Sequence, residues 1–227
     1  MLKKLFSVTV LISAFLLPAA AQSLYLEDGI GGSAFGLSTT INGDGFKSAE
    51  VSAAYSIGGM MDIGFQLNRI SGEILTYEST DWNFEFLYNL IVLKQGDYNP
   101  VNLQLEGLFG YSNITSVVYD NNSITEEGMG FQIGTTISHE FFKERLFSFL
   151  IGGKAHYKNY LYTKTDPNEV PTVSTERYES LAAGGLVAIS LRPENFPIVT
   201  VETSIIYDIT NDKLNVTPTL YLISPRY

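Results

Sequence analysis

One stretch of this chain, from Trp82 to Leu93, constrains the fold more than any other. Asn83, Glu85 and Asn89 alternate within it with a row of large apolar side chains. That row consists of Trp82, Phe84, Phe86, Tyr88, Leu90 and Val92. Because side chains along a strand point alternately to its two faces, this spacing predicts a β-strand with one aromatic face and, opposite it, a face that carries the carboxylate and both amides.

The length of this strand indicates its environment. At about 3.3 Å per residue it would run roughly 40 Å, and tilted by about 45° it would cross roughly 28 Å. That distance is close to the hydrocarbon thickness of a bilayer, whereas strands of soluble proteins average about 5–6 residues. We therefore predict a membrane-spanning strand whose aromatic face meets lipid and whose polar face lines the inside of a barrel.

The first 21 residues have the organisation of a secretory signal peptide. Lys3 and Lys4 precede an apolar run from Leu5 to Leu17, and three alanines end at Ala21. The run is too short to span a bilayer as a helix, and small residues before a cut suit a signal peptidase. We expect a signal peptide over 1–21 and one mature domain over 22–227. Loss of the two lysines would lower the formal net charge from −10 to about −12.

The alternating pattern recurs along the rest of the chain and predicts ten strands, with eight as the second choice. Turn residues such as Gly58 and Gly59, or polar segments, separate them. The predicted strands cover about 32–41, 47–57, 60–70, 82–93, 101–111, 129–138, 147–162, 180–191, 199–208 and 214–227. Strand eight is less regular, because Leu186 falls on its polar face, and the facing of the last strand is left open.

Strand parity divides the side chains into two sets. One set faces lipid and includes Phe65, Trp82, Phe84, Phe86, Tyr88, Leu90, Leu105, Phe131 and Phe149. The other forms a polar network in the lumen and consists of Glu50, Asp62, Glu85, Asn89, Gln104, Glu106, Gln132, Lys154, His156, Lys158 and Glu202. Within this network we expect Lys154 to pair with Glu106 or Glu202.

Taken together, the chain resembles the small outer-membrane β-barrel proteins of Gram-negative bacteria, without matching a particular subfamily. The resemblance rests on the signal peptide, the alternating strands, aromatic residues near strand ends and the terminal Tyr227. It implies an all-β, closed, antiparallel, up-and-down transmembrane barrel in the outer membrane after export. In such proteins a terminal aromatic residue is recognised by the barrel-assembly machinery, so the resemblance assigns that role to Tyr227.

The function we expect is structural or that of a narrow, porin-like passive barrel. Ten strands leave room for a thread of water at most, and the acidic excess in the lumen predicts cation preference for any current. The longer connections, 71–81, 119–127 and 163–179, lie on the side assigned to the exterior. They are candidate surfaces for an extracellular ligand, and outer-membrane lipid is the other expected partner.

The sequence allows two alternatives, an enzyme and a soluble binding protein. An outer-membrane lipid or peptide hydrolase is the enzymatic alternative, but Ser138, His139 and Glu140 are consecutive and cannot form a triad in one strand. An exported soluble β-sandwich is the non-membrane alternative. Two histidines on opposite faces and no cysteine predict no metal site, and we expect no cofactor. The acidic charge argues against binding to nucleic acid.

Overall fold

The computed structural model describes residues 23–27, 29–42, 47–74, 77–118, 122–142, 146–165, 174–194 and 197–226. These residues form a closed barrel of ten antiparallel strands in which each strand pairs with its neighbours in sequence and β1 pairs with β10. The strands are β1 (Gly31–Asn42), β2 (Lys47–Ile57), β3 (Met61–Ile74), β4 (Tyr77–Leu93), β5 (Asn102–Val118), β6 (Asn122–Phe141), β7 (Phe147–Thr165), β8 (Ser174–Leu191), β9 (Ile198–Asp208) and β10 (Lys213–Arg226). The predicted fold class and strand number are confirmed, and two packed sheets of a β-sandwich are excluded.

The two faces of the wall differ as the alternation requires. Large apolar side chains lie exposed on the outer face, for example Phe65 at 50% and Phe84 at 52% of their full accessible area. Phe65 stacks on Phe84 and meets Phe86 edge-on, with ring centroids 5.7 Å apart in both cases. The inward positions of the same strands are buried and mostly polar, as at Asp62 and Glu85. The barrel is therefore apolar outside and polar inside.

Six consecutive strands, β3 to β8, are longer than the sequence predicted. β3 has 14 residues and β4 to β8 have 17 to 20, so parts of the predicted loops 71–81, 119–127 and 163–179 are strand. The polar composition of these segments predicts loops instead of strands. The backbone ladder nevertheless continues through these segments, for example from Thr115 opposite Thr125 to Val118 opposite Asn122 in β5 and β6. One side of the barrel thus rises well beyond the other.

The closing seam between β1 and β10 settles the facing of the last strand. Thr219, Tyr221 and Ile223 point inward, whereas Leu220 and Leu222 point outward. The paired register runs from Gly31 opposite Arg226 to Ser38 opposite Thr219, and it resumes with Ile41 opposite Val216. The interruption falls at Pro218, which has no backbone N–H to donate. There the hydroxyls of Thr40 and Thr217 form a hydrogen bond of 2.9 Å across the seam.

A segment outside the strands fills one end of the barrel. It consists of a 3₁₀ helix, Ser23–Tyr25, followed by Leu26, and we call Leu24 to Leu26 the plug. All three plug side chains are at most 2% exposed. They pack among inward apolar side chains near the ends of strands, namely Ala34, Ile91, Leu150, Leu186, Ala188, Ile198, Tyr221 and Ile223. This end, which carries the β2–β3, β4–β5, β6–β7 and β8–β9 connections, is the turn end; the opposite end is the hairpin end.

The plug was not predicted, although it explains the inward position of Leu186, which is 3% exposed beneath it. No helix in the described ranges is long and apolar enough to cross a membrane. The predicted signal peptide and the terminal Tyr227 lie outside the described residues.

The β2–β3 turn offers a matched test of how the plug is held. Gly58 and Gly59 both have positive φ, +59° and +64°, so alanine at either position should cost about 1–2 kcal/mol in backbone strain. A Cβ at Gly58 would meet nothing within 4 Å, but at Gly59 it would lie 2.2 Å from the carbonyl oxygen of Glu27, next to the plug. We expect Gly59→Ala to lower the free energy of unfolding clearly more than Gly58→Ala in urea titrations of the refolded barrel. Equal losses would contradict this packing.

Candidate functional site

The lumen contains a cavity of about 220 Å³ with Leu24 of the plug in its lining. The carboxylates of Glu50, Glu106 and Glu202 line it together with three basic side chains on one strand, β7. Those basic residues are Lys154, His156 and Lys158. Apart from Leu24, the described lining residues belong to the strands, because the inward positions of nearly every strand meet there.

The first contact within this cavity is a buried ion pair. The ammonium of Lys154 lies 2.8 Å from the carboxylate of Glu106, and the hydroxyl of Thr136 donates to the same carboxylate at 2.5 Å. The pair therefore neutralises itself inside the barrel, because a buried charge without a partner would be costly. Of the two partners expected for Lys154, the structure pairs it with Glu106.

A second network joins two carboxylates through one amide. Gln66 Nε2 donates to Glu50 at 3.0 Å and to Glu85 at 2.9 Å. On its other oxygen Glu85 accepts a hydrogen bond from the hydroxyl of Tyr160. Glu50 and Glu85 are thus held close together by neutral donors.

Two glycines allow Tyr160 to reach Glu85. In the register Glu85 lies opposite Gly110, Gly110 opposite Gly130, and Gly130 opposite Tyr160, so the phenol crosses two strands that have no side chain there. A Cβ at Gly130 would come within 2.4 Å of the Tyr160 ring. The ring therefore lies flat against the wall instead of filling the lumen.

The plug is anchored by a third polar cluster at the turn end. Tyr25 donates its hydroxyl to Glu202, and burial together with this carboxylate raises the pKa of the phenol well above its ordinary value. Arg192 donates to the carbonyl oxygen of Tyr25 at 2.9 Å and pairs with Glu140 at 2.5 Å. Ser148 donates to the same carboxylate at 2.6 Å. The protonated phenol and the arginine thus hold the plug to the wall.

The remaining predicted lumen residues are also placed inside. Asp62 accepts a hydrogen bond of 3.4 Å from Asn89 near the turn end, and Gln104 and Gln132 are buried. Sequence reasoning missed Tyr25, Gln66, Glu140, Tyr160 and Arg192. Gln66 and Tyr160 follow from strand parity, but Tyr25 and Arg192 lie outside the strands and carried no such signal.

The residues predicted to face lipid lie on the outer wall wherever their side chains are described. Phe65, Phe84, Phe86, Tyr88, Leu105 and Phe131 are exposed, and Leu90 and Phe149 are partly covered by neighbours. The side chain of Trp82 falls outside the described part of the chain.

Neither histidine has the contacts of a catalytic base in the described structure. His139 Nδ1 lies 2.5 Å from the carbonyl oxygen of Pro100, and its ring packs edge-on against Phe141. His156 Nδ1 is buried, and none of the described residues hydrogen-bonds to it. No group of three or more His, Asp or Glu side chains suited to a metal ion occurs among the described residues.

The comparisons with known proteins identify the fold. No protein-family model and no curated protein matches this sequence. Among solved structures, the translocator domain of the autotransporter NalP from Neisseria meningitidis matches with a TM-score of 0.57 at 7% identity, covering 89% of this chain and 90% of that one. The outer membrane protease OmpT from Escherichia coli matches with a TM-score of 0.41 at 12% identity, covering 87% and 96% respectively. The likeness to the NalP translocator domain shows that this chain has the fold of outer-membrane β-barrels.

Gly110, one of the two glycines under the Tyr160 side chain, allows a test of this packing. A Cβ at Gly110 would lie 2.5 Å from the side chain of Glu85, whereas at Gly107 on the same strand it would meet nothing nearer than 3.7 Å. Overpacking of this kind costs about 1–3 kcal/mol, so Gly110→Ala should destabilise the barrel by that amount. Gly107→Ala should stay within about 0.5 kcal/mol of the parent, as is usual away from packed features. Urea titrations of both variants measure these free energies of unfolding. A Gly110→Ala variant as stable as the parent would mean that Glu85 and Tyr160 are not held together.

Proposed function

We propose that this protein is an integral β-barrel of the outer membrane of a Gram-negative bacterium, reached after signal-peptide export. The observation that carries the proposal is the outer wall, which presents exposed Phe, Tyr, Leu and Ile side chains on all ten strands. So much exposed apolar surface on a closed barrel suits contact with lipid and would be a liability in water. Outer-membrane lipid is then its first partner.

The barrel serves in this proposal as a closed envelope protein without an open pore. The plug covers the turn end, and the cavity above it contains the Lys154–Glu106 ion pair. Ten strands are close to the size at which side chains alone fill a barrel. A steady ion current would therefore need the plug to leave, and the carboxylates of the lumen would then favour cations.

The long hairpins formed by β3 to β8 are the surface that we assign to ligand contact. They extend the wall at the hairpin end beyond the ends of β1, β2, β9 and β10. We assign this end to the cell exterior, where the segments 71–81, 119–127 and 163–179 would meet an extracellular ligand. In this proposal the barrel-assembly machinery inserts the protein into the outer membrane, and it recognises a signal in the last strand that includes Tyr227.

Membrane insertion is tested by one outward substitution and its control. Phe86 is 39% exposed on the outer face of β4. If this site faces the middle of a bilayer, Phe86→Lys should lower the free energy of unfolding by roughly 2–4 kcal/mol. Tyr98, in the β4–β5 turn, is 96% exposed, and Tyr98→Lys should cost almost nothing. We expect this difference in urea unfolding from phospholipid vesicles. Equal stability of the two variants, or a protein that remains soluble without detergent, would overturn the membrane assignment.

The closed lumen is tested by recordings in planar bilayers. A chain beginning at Gln22 should give no steady current, whereas a chain beginning at Gly29, which lacks the plug, should give a small current that prefers cations. Tyr98→Ala in the longer chain serves as the control and should stay silent. A steady current through the longer chain, or anion selectivity of the shorter one, would contradict the proposal.

A further inference from the structure

Four inward polar residues form a row across neighbouring strands at the cavity wall. Ser38 on β1 lies opposite Glu50 on β2, Glu50 opposite Asn68 on β3, and Asn68 opposite Asn83 on β4. The side chains of Ser38, Glu50 and Asn68 line the cavity. The row thus presents carboxylate, amide and hydroxyl oxygens to the space enclosed by the barrel.

Two amide oxygens of this row are buried without a partner. Asn68 Oδ1 and Asn83 Oδ1 accept no hydrogen bond from any described group. An unsatisfied buried acceptor costs about 1–3 kcal/mol, so two of them on adjacent strands point to a donor that belongs there. Glu50 beside them accepts from Gln66 and retains further acceptor capacity.

The opposite wall offers the complementary chemistry. β7 lies five strands from β2 around the ring, so its inward residues face Glu50 across the lumen. Lys158 and His156 line the cavity there, and His156 Nδ1 is also buried without a described partner. Lys154 on the same strand is already engaged by Glu106 at 2.8 Å.

We propose that the lumen cavity binds a small zwitterion that carries an ammonium at one end and a carboxylate at the other. An ammonium has three donors and no acceptor, which matches Glu50 and the free oxygen of Asn68. A carboxylate has only acceptors, which matches the ammonium of Lys158 and an N–H at His156 Nδ1. A diamine would place an ammonium next to Lys158, and a dicarboxylate would place a carboxylate next to Glu50. Like charges repel in both cases, so these two ligand classes are disfavoured. The ligand class is therefore an amino acid or a slightly longer ω-amino acid.

The volume and position of the cavity agree with such a ligand. About 220 Å³ holds a molecule of this size but not a folded peptide or a sugar chain. Because Leu24 of the plug is part of the lining, the ligand would enter from the hairpin end. The site therefore needs neither conduction nor release of the plug.

The test uses isothermal titration calorimetry on the full mature barrel refolded in detergent micelles. The probes are glycine, β-alanine, 4-aminobutanoate and 6-aminohexanoate, with methylammonium and acetate as single-ended controls. We expect saturable binding of at least one zwitterion, tighter than either control by tenfold or more. Absence of saturable binding for the whole series would overturn the proposal, whatever the bilayer recordings show.

Three variants assign the two ends. Glu50→Gln should weaken zwitterion and methylammonium at least tenfold, whereas Lys158→Gln should weaken the zwitterion by the same factor and leave methylammonium unchanged. Glu194→Gln, in the exposed β8–β9 turn, makes the same loss of a carboxylate outside the cavity and should change nothing. Migration of unboiled samples on gels shows whether each variant is folded.

Two outcomes would count against the assignment of the ends. If Glu50→Gln does not fold, Asn68→Asp is used in its place. This variant should bind methylammonium more tightly than the parent. If it does not, Asn68 is not part of the site. Equal weakening of zwitterion and methylammonium by Lys158→Gln would refute a carboxylate subsite on β7.

Discussion

Closure of the backbone ladder is the constraint on which the rest of this structure depends. β1 pairs with β2 on one side and with β10 on the other, so the sheet has no free edge. In a bilayer each unpaired N–H or C=O would cost several kcal/mol, and only a closed sheet or a helix avoids that cost. Closure also fixes the two faces, because once the ring is complete every second side chain must point into a narrow lumen.

The interior follows from the small number of strands. Ten strands enclose a narrow lumen, so its buried charges pair with one another, as Lys154 on β7 does with Glu106 on β5. Long side chains such as Tyr160 fit only by lying over glycines at Gly110 and Gly130. At the turn end a cluster of inward apolar side chains packs around the plug, beside the polar groups that anchor it. The cavity between plug and hairpins is the space that remains.

Alternation of side chains predicted most of this fold. The bounds of β2 agree with the expected Lys47–Ile57, and the ten-strand count was correct, because strands of a barrel with one apolar and one polar face follow a period of two. The height of the hairpins was not predictable in this way, since β6 begins as early as Asn122, in a segment whose polar composition predicts a loop. The plug was missed because a short segment outside the strands has no periodicity. The inward Leu186 was its sequence signal, together with inward Ile91 and Leu150 near the same end.

The most direct test of the closed ladder is a disulfide across the seam that joins the first and last strands. Ser33 lies opposite Ser224, and directly opposite residues of antiparallel strands have Cα atoms about 4.5–5.5 Å apart, within reach of a disulfide. The chain contains no cysteine, so Ser33→Cys with Ser224→Cys introduces the only two thiols. A closed barrel should form this bond within one chain and stay folded, whereas Ser33→Cys with Thr217→Cys should not cross-link. Failure of the first pair to cross-link, or bonds only between chains, would contradict closure.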